Sequence, residues 1–148
     1  MGLDMYLYRQ QYVHQRSDPS TYQNILAAVG ITGTPESPHL AVAACVAYWR
    51  KANAIHKWFV DKCQDGVDEC QETWVGTESL IQLREVCKTV LADMSKAAEL
   101  LPTESGFFFG GTDYDEYYYD ALTYTADQID KLLDPKYDHF DFEYHSSW

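Results

Sequence analysis

LAVAACVAYWRKANAIHKWFV, residues 40–60, is a long, strongly apolar stretch, and how it is read decides the fold. Ser37 and Pro38 stand before it as a side-chain cap and a proline at the first helical position. The stretch therefore predicts one long helix from 38 to about 63. At about 100° per residue, Trp49, Arg50, Asn53, His56 and Lys57 fall within one arc of about 120°. Tyr48, Ala52, Ile55 and Phe59 form the adjoining core-facing arc. On such an arc Arg50 and Lys57 would pair with a phosphate or carboxylate, Asn53 would read a polar edge, and Trp49 would stack on a base or sugar. In the plainer alternative the two cations bridge to neighbouring carboxylates and His56 is a satisfied junction residue.

Outward from this stretch, the elements are clearly punctuated. LDMYLYRQQY (3–12) alternates Leu3, Met5 and Leu7 against Asp4, Tyr6 and Tyr8, the pattern of a half-buried strand. STYQNILAAVG reads as a short helix stopped by Gly30. QDGVDECQETWVG is a loop with a short strand at 73–75. A second long helix starts at the Thr77 cap and carries Leu80, Leu83, Cys87, Val90, Leu91, Met94 and Ala98 at helical spacing until Pro102. Thr112 opens a third helix, with Asp115 completing a capping-box-like pair. Its inner face is Tyr114, Tyr118, Ala121, Leu122, Thr125, Ile129 and Leu132, and Asp134-Pro135 stops it. The tail KYDHFDFEYH alternates again and predicts a strand that joins the first one, with FFF (107–109) a candidate between them. The expected class is α+β. It is mainly helical, with three main helices and a short one beside a small antiparallel sheet that includes the N- and C-terminal strands.

Bulk properties bound the function. The 148 residues suit a single domain, 1–148, able to bury a core without staples. A net charge of −12 argues against a direct nucleic-acid binder, because phosphate neutralisation needs a basic surface. It leaves room for a basic protein partner, or for a small anion held in a local basic pocket. Twelve Tyr and an exposed first-strand edge would suit a homodimer. Cys45, Cys63, Cys70 and Cys87 form no CxxC and no zinc-finger spacing, which reads as reduced thiols in a cytoplasmic protein. No signal peptide or membrane span is read, and no cofactor or metal is expected.

SGFFFGGTDYDEYYY (105–119) combines rings, a glycine pair and acids. Gly110-Gly111 before a helix start resembles an anion cradle, yet Asp113, Asp115 and Glu116 would repel a phosphate unless a metal or Arg50 intervened. Asp113, Glu116 and Tyr117 are not required for packing or capping, and they read as one wall of a pocket whose other wall is Arg50. DKCQDGVDECQE (61–72) has calcium-loop spacing, with Cys63 and Asp68 at unsuitable positions. His139, Asp141, Glu143 and His145 share a strand face, but alternate strand residues lie nearly 7 Å apart and read as a solvated face. No GxSxG or HExxH is present. Acid–base chemistry by His56 with Asp113 or Glu116 would need the fold to bring them together.

MGLDMYLY, YWRKANAIHKWF and SGFFFGGTDYDEYYYD together resemble a family of small proteins encoded in bacteriophage and prophage genomes. The resemblance spans residue 1 to about 133. It implies a bacterial cytoplasmic setting and a role in host takeover or counter-defence, and no catalytic residue carries over with it. Three readings follow. The first is a sponge for a small anionic, nucleotide-like ligand bound by Trp49, Arg50, Asn53, His56, Lys57, Asp113, Glu116 and Tyr117. The second is an acidic, nucleic-acid-mimicking inhibitor of a host defence protein. The third is a small metal-dependent nucleotide hydrolase.

Overall fold

The computed structural model describes residues 2–33, 35–135 and 140–148. The deciding stretch is not one helix. His39–Arg50 is strand β2 and Asn53–Cys63 is helix α2. The chain turns between them at Lys51, whose φ of 56° lies in the left-handed region. The strand forms because β1 (Asp4–His14) offers a full-length antiparallel partner, from Asp4 opposite Arg50 to His14 opposite His39. That pairing outweighs the helix preference of the alanines, which is worth less than about 1 kcal/mol per residue. Ser37 and Pro38 accordingly cap no helix. The Pro38 carbonyl accepts from the Gln15 N–H at 2.8 Å, and the Ser37 carbonyl accepts from the Tyr22 hydroxyl at 3.1 Å.

The four strands run in the order β2-β1-β4-β3, all antiparallel, with β3 at Thr73–Val75 and β4 at Asp141–Ser147. The terminal strands pair directly, from Asp4 opposite Ser147 to Gln10 opposite Asp141. Residues 107–109 therefore form a turn and not an intervening strand: the Phe109 N–H donates to the Gly106 carbonyl at 3.1 Å. From Asp4 to Gln10 the first strand is not an edge, because β2 and β4 flank it there; from Gln11 to His14 only β2 pairs with it. Lys136, Tyr137, Asp138 and His139 of the expected tail strand lie outside the described residues.

Period two puts Met5, Leu7, Ala47, Trp49, Val75, Phe142 and Tyr144 on the buried face of the sheet. Packed with them are α2, α3 (Thr77–Ala92) and α5 (Glu116–Leu132), through residues such as Phe59, Leu83 and Leu122. Tyr144 stacks on Phe59 with ring centroids 4.1 Å apart. Helix α3 stops ten residues early because Asp93 leaves helical geometry and its carboxylate accepts from the Ser95 N–H at 3.2 Å. A 3-10 turn, Met94–Lys96, and α4, Ala97–Leu100, follow, with Met94 and Ala98 exposed. The cap of α5 is Asp115 and not Thr112, its carboxylate accepting from the Tyr118 N–H at 3.1 Å.

Beyond Gln10 the β1–β2 hairpin leaves β4 behind and projects as an arm. A register shift at Leu7/Tyr8, with Val46 as the extra residue, separates arm from body. Helix α1 (Pro19–Ala28) covers one patch of the arm, setting Tyr22 and Leu26 against Val13.

Candidate functional site

Residues 103–111 line two cavities. The first, of about 330 Å³, is bounded by Arg50, Lys51 and Asn53 on one side and by Gly110, Gly111, Asp113, Asp115 and Tyr117 on the other. The second, of about 580 Å³, is lined by Lys57, Asp61, Asp68, Glu104, the Phe107–Phe109 turn and Trp148.

Asn53 sets this geometry. It opens α2, is 4% exposed, and spends its whole amide on backbone. Its Nδ2 donates to the Phe109 carbonyl at 3.1 Å and to the Gly111 carbonyl at 2.8 Å, while its Oδ1 accepts from the Glu104 N–H at 3.0 Å. Asn53 therefore holds the loop that both cavities share and has no donor left to read a ligand edge. The left-handed Lys51 brings its side chain against Gly110, itself at φ 88°, where an added Cβ would lie 3.1 Å from Lys51 Cβ. A larger residue at position 110 would push the two walls apart.

Charge is mixed in the first cavity. Arg50 meets Asp4 at 3.2 Å, and Asp4 also accepts a hydrogen bond from the Tyr48 hydroxyl. The hydrogen bond with Tyr48 and the charge of Asp4 raise the guanidinium pKa, and the bond to Asp4 raises that of the Tyr48 phenol. Lys51 makes no ion pair among the described residues. Tyr117, 84% exposed, stands on the rim with Asp113. The cavity thus offers cations, a carboxylate acceptor and a ring face within one concave surface.

The other predicted site residues are placed elsewhere. Trp49 is buried in the core and donates its indole N–H to Thr125 Oγ1 at 2.8 Å, so it has no face left for a base. His56 is fully buried, between the Tyr144 hydroxyl at 2.7 Å from Nδ1 and the Asp68 carboxylate at 2.9 Å from Nε2. A carboxylate only accepts, so Nε2 donates to Asp68, and in the neutral ring Nδ1 then accepts from the Tyr144 hydroxyl. These partners tie His56 to β4 and the 64–72 loop, apart from Asp113 and Glu116. Lys57 lines the second cavity and pairs with Asp61 at 3.1 Å and Glu104 at 3.8 Å. Its hydrogen bond to Asp61 raises its pKa. Glu116 is exposed in the first turn of α5 and lines neither cavity.

Among the described residues no group of three or more His, Cys, Asp or Glu is placed to hold a metal ion. The calcium-like loop instead ends α2: Gly66, at φ 76°, donates its N–H to the Val60 carbonyl at 3.0 Å. No helix among them is long and apolar enough to cross a membrane.

Lys51 and Trp148 escaped the sequence reading, and Asp68 entered it only as a misfit in the calcium-like loop. The Trp148 indole N–H donates to Asp68 at 3.2 Å and its ring meets Phe109 edge-on at 6.0 Å. A tryptophan beyond an alternating strand was the available signal for that contact, whereas nothing marked Lys51 as a left-handed turn. No protein-family model, curated protein or solved structure matches this chain.

Proposed function

We propose that this protein binds a small nucleotide-like anion in the Arg50–Tyr117 cavity and sequesters it. The observation that carries the reading is the meeting of two segments far apart in sequence. The basic β2–α2 junction and the ring-and-acid stretch 110–117 line one concave surface. Arg50 and Lys51 would meet the anionic head. Tyr117 would stack on the base, and Asp113 would accept from its N–H edge. A volume of about 330 Å³ suits a mononucleotide-sized ligand better than a polymer. The resemblance to phage-encoded proteins supplies the setting, in which depletion of an immune nucleotide signal serves counter-defence in the host cytoplasm.

The test is mass spectrometry of small molecules released on heat denaturation, followed by calorimetry with a panel of cyclic and ADP-ribose-type nucleotides. Lys51→Ala and Tyr117→Ala, both on the cavity wall, are expected to weaken binding at least about tenfold, the value of one lost charged contact or ring stack. An empty release together with no heat from any member of the panel would sink the reading.

A second reading rests on the exposed acids Asp113, Asp115, Glu116 and Asp120 around the start of α5. They would occupy a basic surface on a host defence protein. Glu116 and Asp120 lie outside the cavity, so Glu116→Lys/Asp120→Lys separates the two. Loss of salt-sensitive capture with nucleotide binding intact favours the inhibitor.

A further inference from the structure

The two edges of the sheet are unlike. Strand β3 is three residues long, whereas β2 runs for twelve and carries no charged side chain from Leu40 through Trp49. In an antiparallel strand alternate residues turn their N–H and C=O away from the existing partner. At the body end this outer edge is closed, because the Tyr48 N–H donates to the Tyr124 hydroxyl of α5 at 3.2 Å. Along the arm it is open. Residues 41–45 are exposed, and among the described residues no helix or side chain hydrogen-bonds the outer edge of 41–44. Proline and inward charges, the devices that blunt natural edges, are missing from this run.

Charge selects the occupant. From Tyr8 to Cys45, on the arm side of the register shift, two cations, Arg9 and Arg16, balance two acids, Asp18 and Glu36. Residues 50–148 carry nine cations against twenty acids. Two copies repel each other over most of their surface, but the arm is the neutral part of the molecule. At physiological salt the distant acids are screened beyond about 8 Å. A strand is also self-complementary about a two-fold axis when it pairs antiparallel with its own copy. The geometry points to a homodimer in which β2 pairs with β2 of a second copy, centred on Ala43, giving one eight-stranded sheet across the dyad. This assembly is independent of the nucleotide reading.

The experiment is light scattering after size exclusion from about 1 to 100 µM, with hydrogen exchange at both ends of that range. The expected mass is twice the 17.0 kDa chain, with amide protection in 40–45 that rises with concentration. Ala43→Glu places like charges face to face and is expected to give a folded monomer, checked by circular dichroism. Ala43→Lys is expected to do the same, and an equimolar mixture of the two variants to restore the dimer. A monomer throughout the range overturns the proposal. So does a dimer that persists in Ala43→Glu, or folded monomeric variants whose mixture stays monomeric.

Discussion

Replacing Asn53 with alanine tests the account of how the two cavities are held open. Three hydrogen bonds disappear together, to the carbonyls of Phe109 and Gly111 and from the N–H of Glu104. The bond to Phe109 is buried, and losing it leaves a carbonyl without a partner at a cost of about 1–3 kcal/mol. The other two are part-buried and can be met by water, at about 0.5–1.5 kcal/mol each. The sum is about 2–6 kcal/mol, and its low half corresponds to a fall in Tm of roughly 5–15 °C for a chain of this size. Asn53→Asp should cost more than Asn53→Ala, because it turns an oxygen and a buried charge toward two carbonyls that both need a donor. Urea unfolding of the three proteins, with m values compared, reads both quantities. A loss below about 1 kcal/mol in Asn53→Ala, or an aspartate variant as stable as the alanine one, would refute the assigned role.

Two further outcomes follow from buried and paired groups. Burial pushes the Cys87 thiol up to about 12, so at pH 8 only about one molecule in ten thousand carries the thiolate. Iodoacetamide on dilute native protein should therefore modify the exposed Cys45 and spare Cys87 until denaturant is added, as read by peptide mass; equal rates at the two sites would contradict this. The hydrogen bond from Lys88, with the charges of Lys88 and Arg84, lowers the Asp130 pKa. A depressed carboxylate contributes stability that is complete above its unfolded value of about 3.9 and is lost as pH falls through its folded value. Asp130→Asn should thus destabilise by up to about 1 kcal/mol near pH 7, the exposed pairs being solvent-screened, and by less as pH falls through the folded value. A loss that does not shrink as pH falls would show that the charge is not responsible.

The legible parts of this fold were those where period and punctuation agreed. Leu3, Met5 and Leu7 are buried as their alternation required, and Tyr118, Leu122, Thr125 and Ile129 form the inner face of α5. The stretch 39–50 misled for a physical reason. Its arm half is exposed on both faces yet apolar, so no polar residue alternates with the alanines to reveal period two. The switch from strand to helix occurs at a left-handed lysine, where neither glycine nor proline marks a turn. Arg50 and Asn53 still share one cavity because they sit on either side of that turn and reach it from different elements. Trp49 and His56 could not follow, since changing the period by one element moved the indole into the core and left the imidazole between Tyr144 and Asp68.

The central position of β1 fixes an order of events during synthesis. The first of the four strands lies between β2, which is complete at Arg50, and β4, which is not complete until Ser147. The β1–β2 hairpin with α1 is local in sequence and can close on the ribosome, while the other side of β1 must wait for residues 141–147. Until then Met5 and Leu7 lack Phe142 and Tyr144 beside them. A ribosome halted before residue 141 would release a hairpin with two open edges, a species more prone to stick to its neighbours than the finished protein.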